Sequence, residues 1–339
     1  MKRVKIGVVL TDPEDWTARA FLRSVRRRGA EALPFNLSQL STSLSSSVSA
    51  SDFSVSKSSK DSKLNELNEL NELNELNELN ELEELDAVLV RDVGASPALE
   101  QISFKFDLLR LFEDSGVPVV NSPAAIQNAA NKFFSLHLLK QAGLPFPRTV
   151  VTSELEVAER AVAEFGTAVV KPVFGSQGRG VLKLESLEQN LKSKLAGVLK
   201  ERGVLYLQEF VPNPGRDIRV FVVGGEVVGA IYRIPQSQSQ SHSSSFVSNL
   251  SQGGRAVKCE PTAEVRELAV KAAKAVGADF AGVDLLEGKG KGEGAGEGKV
   301  EGAGEEGVRL LEVNATPSGR GIKIACGVDV SEKVVGLLF

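Results

Sequence analysis

Two segments near the C-terminus carry side chains able to hold a cation: Gly282-Val283-Asp284-Leu285-Leu286, and Arg309-Leu310-Leu311-Glu312-Val313-Asn314-Ala315-Thr316-Pro317. Both read as apolar strands. Alternate side chains of a strand share a face, so Glu312 and Asn314 project together. If the strands pair, Asp284 joins them to give two carboxylates and an amide oxygen, the hard-oxygen set that suits Mg2+ when phosphates complete its shell. The same residues would equally suit a half-exposed hairpin with ordinary polar side chains in water.

A second group could hold the phosphates. Gly175-Ser176-Gln177-Gly178-Arg179-Gly180 follows a strand that carries Lys171, and its glycines let backbone N–H groups approach an anion closely. The segment lacks the Gly-Lys-Ser/Thr ending of a Walker A loop and the spacing of a dinucleotide fingerprint, so alone it would pass for a flexible hairpin tip. Lys171, with Lys132 further upstream, adds two ammonium groups able to neutralise the α- and β-phosphates of a nucleotide. Taken singly, each lysine would read as solvated surface charge.

Composition narrows the chemistry further. A formal charge of -4 argues against a general nucleic-acid surface, while leaving room for a local basic pocket for a small anion. Only His137 and His242 are present, one in an expected helix and one in a serine-rich loop, so a histidine zinc site or a Ser/His/Asp triad is not expected. Cys259 and Cys326 form no spacing pattern, and no apolar N-terminal run or membrane-spanning stretch stands out, which fits a reducing cytoplasm. The chemistry must run on Lys, Arg, Asp, Glu and metal.

The elements that must position these groups read as alternating β and α in the first part of the chain. Val4–Leu10 is a strand, a helix follows to about Arg28, Ala87–Arg91 is a strand, a helix covers about Lys105–Ser115, and Val117–Asn121 is a strand. This pattern implies a parallel, Rossmann-like sheet over residues 1–125. Ala124–Ala142 reads as one helix stopped by Gly143, and short strands follow at Thr149–Val151 and Ala168–Val173 in a smaller unit, 126–203. Strands at Leu205–Val211, Asp217–Val223 and Glu226–Arg233 open the last unit, 204–339, with Gly224-Gly225 as a hairpin turn. Low-complexity tracts at 38–84, 236–245 and 288–307 read as loop expansions. In the first, leucines recur at every third position, which turns them around a helix by roughly 60° per repeat and leaves no lasting apolar stripe. A weakly helical insertion is the expectation there, with a partner-binding helix as the alternative. The third tract most simply loops between the two acidic strands.

Asn131-Lys132, Val170-Lys171-Pro172 with the glycine loop, Gln208-Glu209-Phe210-Val211, Asp217-Ile218-Arg219, Asn249-Leu250-Ser251-Gln252-Gly253-Gly254, Asp284 and Glu312-Val313-Asn314 occur in that order. The series resembles the ATP-grasp superfamily over nearly the whole chain outside the low-complexity tracts. Within it the chain is similar to the RimK-like α-L-glutamate ligases, and among these to the archaeal branch whose acceptor is tetrahydromethanopterin. The resemblance implies an α/β (α+β) protein, an ATP-grasp fold preceded by a Rossmann-like domain. It implies that Lys132 and Lys171 bind ATP phosphates under a lid of Gly175, Ser176, Gln177, Gly178 and Gly180. Gln208, Glu209, Phe210 and Val211 would form the adenine hinge, Glu209 and Val211 holding the base and Glu209 or Asp217 accepting from the ribose or the amino group, while Phe210 reads first as a core side chain. Asp284, Glu312 and Asn314 would bind one or two Mg2+ or Mn2+ ions, and Arg219, Arg233 and Asn249 would meet the transferred phosphoryl group and the acceptor carboxylate. For the two arginines, surface ion pairs are the alternative.

The chain departs from the family pattern at Val247, where related ligases carry a basic residue two positions ahead of the asparagine. Arg233 or Arg255 could substitute. The reaction so implied is ATP-dependent joining of glutamate to a carboxylate-bearing coenzyme in a homo-oligomeric enzyme. A deazaflavin coenzyme, a protein tail or a carrier protein are alternative acceptors, and a non-catalytic ATP-binding scaffold is the alternative from another class.

Overall fold

The computed structural model describes residues 3–43, 54–57, 84–96, 98–175, 178–235, 254–288 and 307–339. Val247, Asn249, Ser176, Gln177 and the Leu-Asn-Glu repeat lie outside these. The first sheet is parallel, in the order β2 (Glu31–Phe35), β1 (Lys5–Val9), β5 (Ala87–Val90), β6 (Val119–Val120). Its apolar strands are crossed by α1 (Trp16–Arg27) and α2 (Leu99–Asp114), as the alternating pattern requires. Strand β2 was not legible beforehand because Pro34 interrupts it. An edge strand tolerates proline, and β2 bonds only to β1. A separate small antiparallel pair joins β3 (Leu40–Ser43) to β4 (Ser54–Lys57).

The helix expected over 124–142 is in fact two, α3 (Pro123–Ala130) and α4 (Lys132–Gln141). Asn131 ends the first with an extended backbone, and its side chain caps the second by accepting from the Phe134 N–H. That break puts Lys132 in the first turn of α4 rather than in mid-helix.

The middle sheet is antiparallel in the order β7 (Thr149–Thr152), β10 (Leu205–Glu209), β8 (Thr167–Lys171), β9 (Leu182–Glu185), backed by α5 (Leu155–Phe165) and α6 (Leu191–Arg202). Strand β10 therefore sits between two strands of the middle unit, although the sequence reading placed it in the last. The third sheet runs β13 (Arg255–Lys258), β12 (Glu226–Ile234), β11 (Asp217–Val223), β14 (Phe280–Gly288), β15 (Gly307–Asn314). Gly224 and Gly225, at φ 58° and 79°, make the tight turn between β11 and β12.

Val220, Val222, Val283 and Val313 of this sheet join one core with the apolar stripe of α7 (Ala263–Val276), including Val265, Ala269 and Ala272. Short helices α8 (Arg320–Cys326) and α9 (Val330–Val335) join a second core with α1 and β1, in which Phe21 of α1 meets Phe280 of β14 edge-on at 6.2 Å. Among the described residues no helix is long and apolar enough to cross a membrane.

Candidate active site

The two acidic strands do pair. β14 and β15 are antiparallel with Asp284 opposite Glu312 and Gly282 opposite Asn314, so all three oxygen-bearing side chains fall on one face. On the neighbouring strands Arg219 stands opposite Asp284 and Asp217 opposite Arg233, which extends the same charged face across β11 and β12. Val220, Val222, Val283 and Val313 project from the opposite face into one core, while further along the charged face Phe221, Ile231 and Phe280 pack into a second.

These charges are closely knit. Arg219 grips Asp284 through Nε and Nη at 2.7 Å each, and Arg233 holds Asp217 at 2.6 and 2.8 Å while reaching Asp284 at 2.8 Å. Burial alone would raise the Asp284 carboxyl, but the two guanidinium groups outweigh it and hold the group below the usual carboxylate range. Burial would likewise lower the Arg233 guanidinium, yet Asp284 and Asp217 hold it above its ordinary value. The surface ion pair considered for Arg233 is therefore a buried one, with Arg233, Asp217 and Asp284 side chains no more than 8% exposed, and that of Arg219 is part-buried. Asp217, expected with Glu209 as an acceptor for the ribose or the amino group, lines the cavity with each of its oxygens also accepting from Arg233.

At the other end, Lys132 Nζ donates to the Gly175 carbonyl and lies 3.3 Å from Glu312. Lys171 Nζ donates to Gln208 Oε1 at 2.6 Å. Lys171 keeps some accessible surface, but its ammonium is enclosed, and burial lowers it to about 8 despite the attraction of Glu312. Gly178 and Gly180, both at φ 69°, hold the left-handed backbone that glycine adopts without strain. Arg202 pins the loop by donating to the Gly180 carbonyl at 3.0 Å.

Between the two ends lies a cavity of about 520 Å³. Lys132, Lys171, Gly175, Gly178, Gln208, Glu209, Phe210, Val211, Asp217, Arg233, Asp284 and Glu312 all line it, whereas Gly180, Arg219 and Asn314 do not. Phe210 is not the core side chain it resembled: it is half-buried at the cavity, with Lys183 Nζ 4.4 Å from its ring centre. The Glu209 carboxylate, expected to meet a ribose or amino group, is held by both ends of Arg148 at 2.9 and 3.0 Å. Arg148 in turn lies 4.9 Å over the Phe165 ring. Arg148 went unseen because nothing in sequence ties a loop arginine to a carboxylate 61 positions away. Thr149, which accepts from Gln208, was missed for the same reason.

The donors suit a hard cation in type, and two of them, Asp284 and Glu312, line the cavity. Glu312 faces the cavity and Asn314 keeps an oxygen lone pair after accepting from the Thr316 N–H at 2.8 Å. Asp284 would share its charge between such a cation and its two arginines.

A model of the RimK-like ATP-grasp domain matches residues 129–293, the span that holds Lys132, Lys171, Gln208–Val211 and Asp284. A tetrahydromethanopterin:α-L-glutamate ligase of Methanosarcina acetivorans is 44% identical to this chain over 347 residues, covering 98% of each. The chain belongs to the RimK-like ATP-grasp ligases. A ligase of the same description from Methanocaldococcus jannaschii is 38% identical over 68% of this chain and 73% of its own. A probable α-L-glutamate ligase of Thioalkalivibrio sulfidiphilus is 35% identical over 75% of this chain and 76% of its own. Among solved structures, the ATP-grasp ligase PsnB with a minimal precursor superposes with a TM-score of 0.69 at 24% identity, covering 99% of both chains. PsnB with a phosphomimetic precursor variant, Mg and ADP gives 0.68, with 98% of this chain and 97% of that one covered. At that identity the likeness speaks for the ATP-grasp fold.

Proposed function

We propose that this ligase joins L-glutamate, through its α-amine, to a carboxylate of tetrahydromethanopterin while ATP is split to ADP and phosphate. The observation that carries the acceptor is the 44% identity, end to end, with the Methanosarcina acetivorans ligase of that name. The cavity supports the ATP half of the reading, because it brings two lysines, a glycine loop and two carboxylates to one space.

The γ-phosphoryl group passes in line to the acceptor carboxylate, and the amine of glutamate attacks the resulting acylphosphate with release of phosphate. Such transfers need alignment and charge neutralisation more than a protein nucleophile. Lys132 and Lys171 neutralise and orient the phosphates, and the hinge Gln208–Val211 holds the base through backbone groups. The loop 175–180 closes over the phosphates and excludes water, which would otherwise hydrolyse the acylphosphate. Asp284, Glu312 and Asn314 would hold one or two Mg2+ or Mn2+ ions, which supply Lewis-acid neutralisation of the phosphate oxygens. Arg219 presents its charge beside Asp284, and Arg233 keeps Asp217 and Asp284 in place; Asn249 is assigned to the acceptor carboxylate. The middle and last units, 126–203 and 204–339, form the nucleotide clamp, and 1–125 faces the acceptor.

Acceptor-dependent ADP release tests this. Release stimulated by tetrahydromethanopterin with glutamate is expected; equal or greater stimulation by a deazaflavin coenzyme or a protein tail would reassign the acceptor, and ATP binding without turnover on any acceptor would favour a scaffold.

A further inference from the structure

We propose that Thr149 is a positioning residue whose hydroxyl decides which end of the Gln208 amide faces Lys171. The inference rests on the reading of Lys171 as a phosphate-binding group. Thr149 stands opposite Gln208 in the β7–β10 register, and Lys171 stands opposite Tyr206 in the β10–β8 register. Directly opposed side chains share a face, and so do residues two apart on one strand, so all four side chains meet on one side of the middle sheet.

The two ends of a glutamine amide are nearly alike in shape and opposite in polarity, so its neighbours must choose between them. Gln208 is 1% exposed, which leaves that choice to protein groups. The Thr149 hydroxyl donates its only proton to the Pro147 carbonyl at 2.9 Å and can therefore offer Gln208 nothing but a lone pair. Gln208 Nε2 donates to it at 3.1 Å, so Oε1 is turned the other way and accepts from Lys171 at 2.6 Å. Tyr206 bonds Thr149 through its hydroxyl, which lies 3.4 Å from Nε2; a phenol both donates and accepts, so once Thr149 no longer engages it, it can meet either end of the amide.

Reversing the amide would aim an N–H at an ammonium. Glu312, Asp284 and Asp217 act on Lys171 as charges and Lys132 opposes them, but among the described residues only Gln208 accepts a hydrogen bond from it. Thr149 thus fixes where the Lys171 ammonium points without touching any substrate.

The test is calorimetric titration of the full chain with ATP and Mg2+. Thr149→Val removes the lone pair with little change of shape. The amide then turns its oxygen to the Tyr206 hydroxyl, and affinity for ATP is expected to fall about tenfold, the scale of one charge-assisted hydrogen bond. Thr149→Ser should restore affinity. Tyr206→Phe alone should bind within about twofold of the parent, and adding it to Thr149→Val should recover most of the loss, because Lys171 is then the only donor left for the amide oxygen. That recovery separates polarity from packing, since deleting a second buried hydroxyl cannot repair a packing defect. Normal binding by Thr149→Val, or a loss that Tyr206→Phe does not repair, would overturn the proposal. Lys171→Met distinguishes the two layers: if it binds ATP normally the phosphate assignment fails, and if it alone is impaired only the role of Thr149 fails.

Discussion

Lys171 is the most informative single residue, because its charge is both needed and costly. Burial lowers its ammonium from the ordinary 10.5 to about 8. The charged form therefore opposes folding in full below about pH 8, and that penalty disappears as pH rises toward 10.5. Phosphates favour the charged form, so ATP binding should take up a proton above about pH 8 and weaken as pH rises through that value. Calorimetry in buffers of different ionisation enthalpy measures the uptake; pH-independent affinity across that range would contradict it. Asp284 makes the complementary case. Asp284→Asn leaves the buried Arg233 and the part-buried Arg219 guanidinium groups short of a partner and should cost about 3 kcal/mol by chemical denaturation, together with a higher Mg2+ requirement for ADP release. A variant as stable as the parent would show that the arginines re-pair without it.

At the scale of elements, the break between α3 and α4 is what aims Lys132. Removing the cap with Asn131→Ala should lower stability by about 1 kcal/mol and raise the KM for ATP, because the two helices can then merge. Unchanged KM with lowered stability would confine Asn131 to a folding role. The hairpin of β14 and β15 closes at Gly288 opposite Gly307, so replacing residues 289–306 by an Asn-Gly turn should leave ligation within about twofold. An inactive product would assign that tract a part in catalysis. These elements also mark what sequence reveals. Alternation exposed β14, β15 and the shared face of Glu312 and Asn314, because a period of two is written directly in the chain. Capping chemistry at Asn131 was legible in principle, since Asn precedes the helix it caps, but the helix-compatible residues on both sides hid the break. The ion pairs of Asp217, Glu209 and Asp284 were not legible, because each depends on a strand register that no local pattern encodes.

For the whole molecule, the question is what holds the first sheet against the β14–β15 hairpin. Asn121, at the end of β6, is fully buried and uses both ends of its amide. Its nitrogen donates to the carbonyls of Phe280 and Ala315, and its oxygen accepts from the N–H groups of Asp279 and Phe280. Arg91 adds a second tie, gripping Asp15 at the start of α1 and reaching the Thr316 carbonyl. Asn121→Ala should therefore cost about 3 kcal/mol and broaden thermal unfolding into two steps as the sheets uncouple; a single sharp transition at the parent temperature would place the coupling elsewhere. The ATP end of the account is carried by geometry and the acceptor end by kinship, so the most direct test joins them. Tetrahydromethanopterin incubated with the enzyme, ATP, Mg2+ and glutamate should gain the mass of one glutamyl unit, with one ADP released per unit added. An unchanged acceptor mass, under conditions where another carboxylate-bearing acceptor is extended, would contradict it.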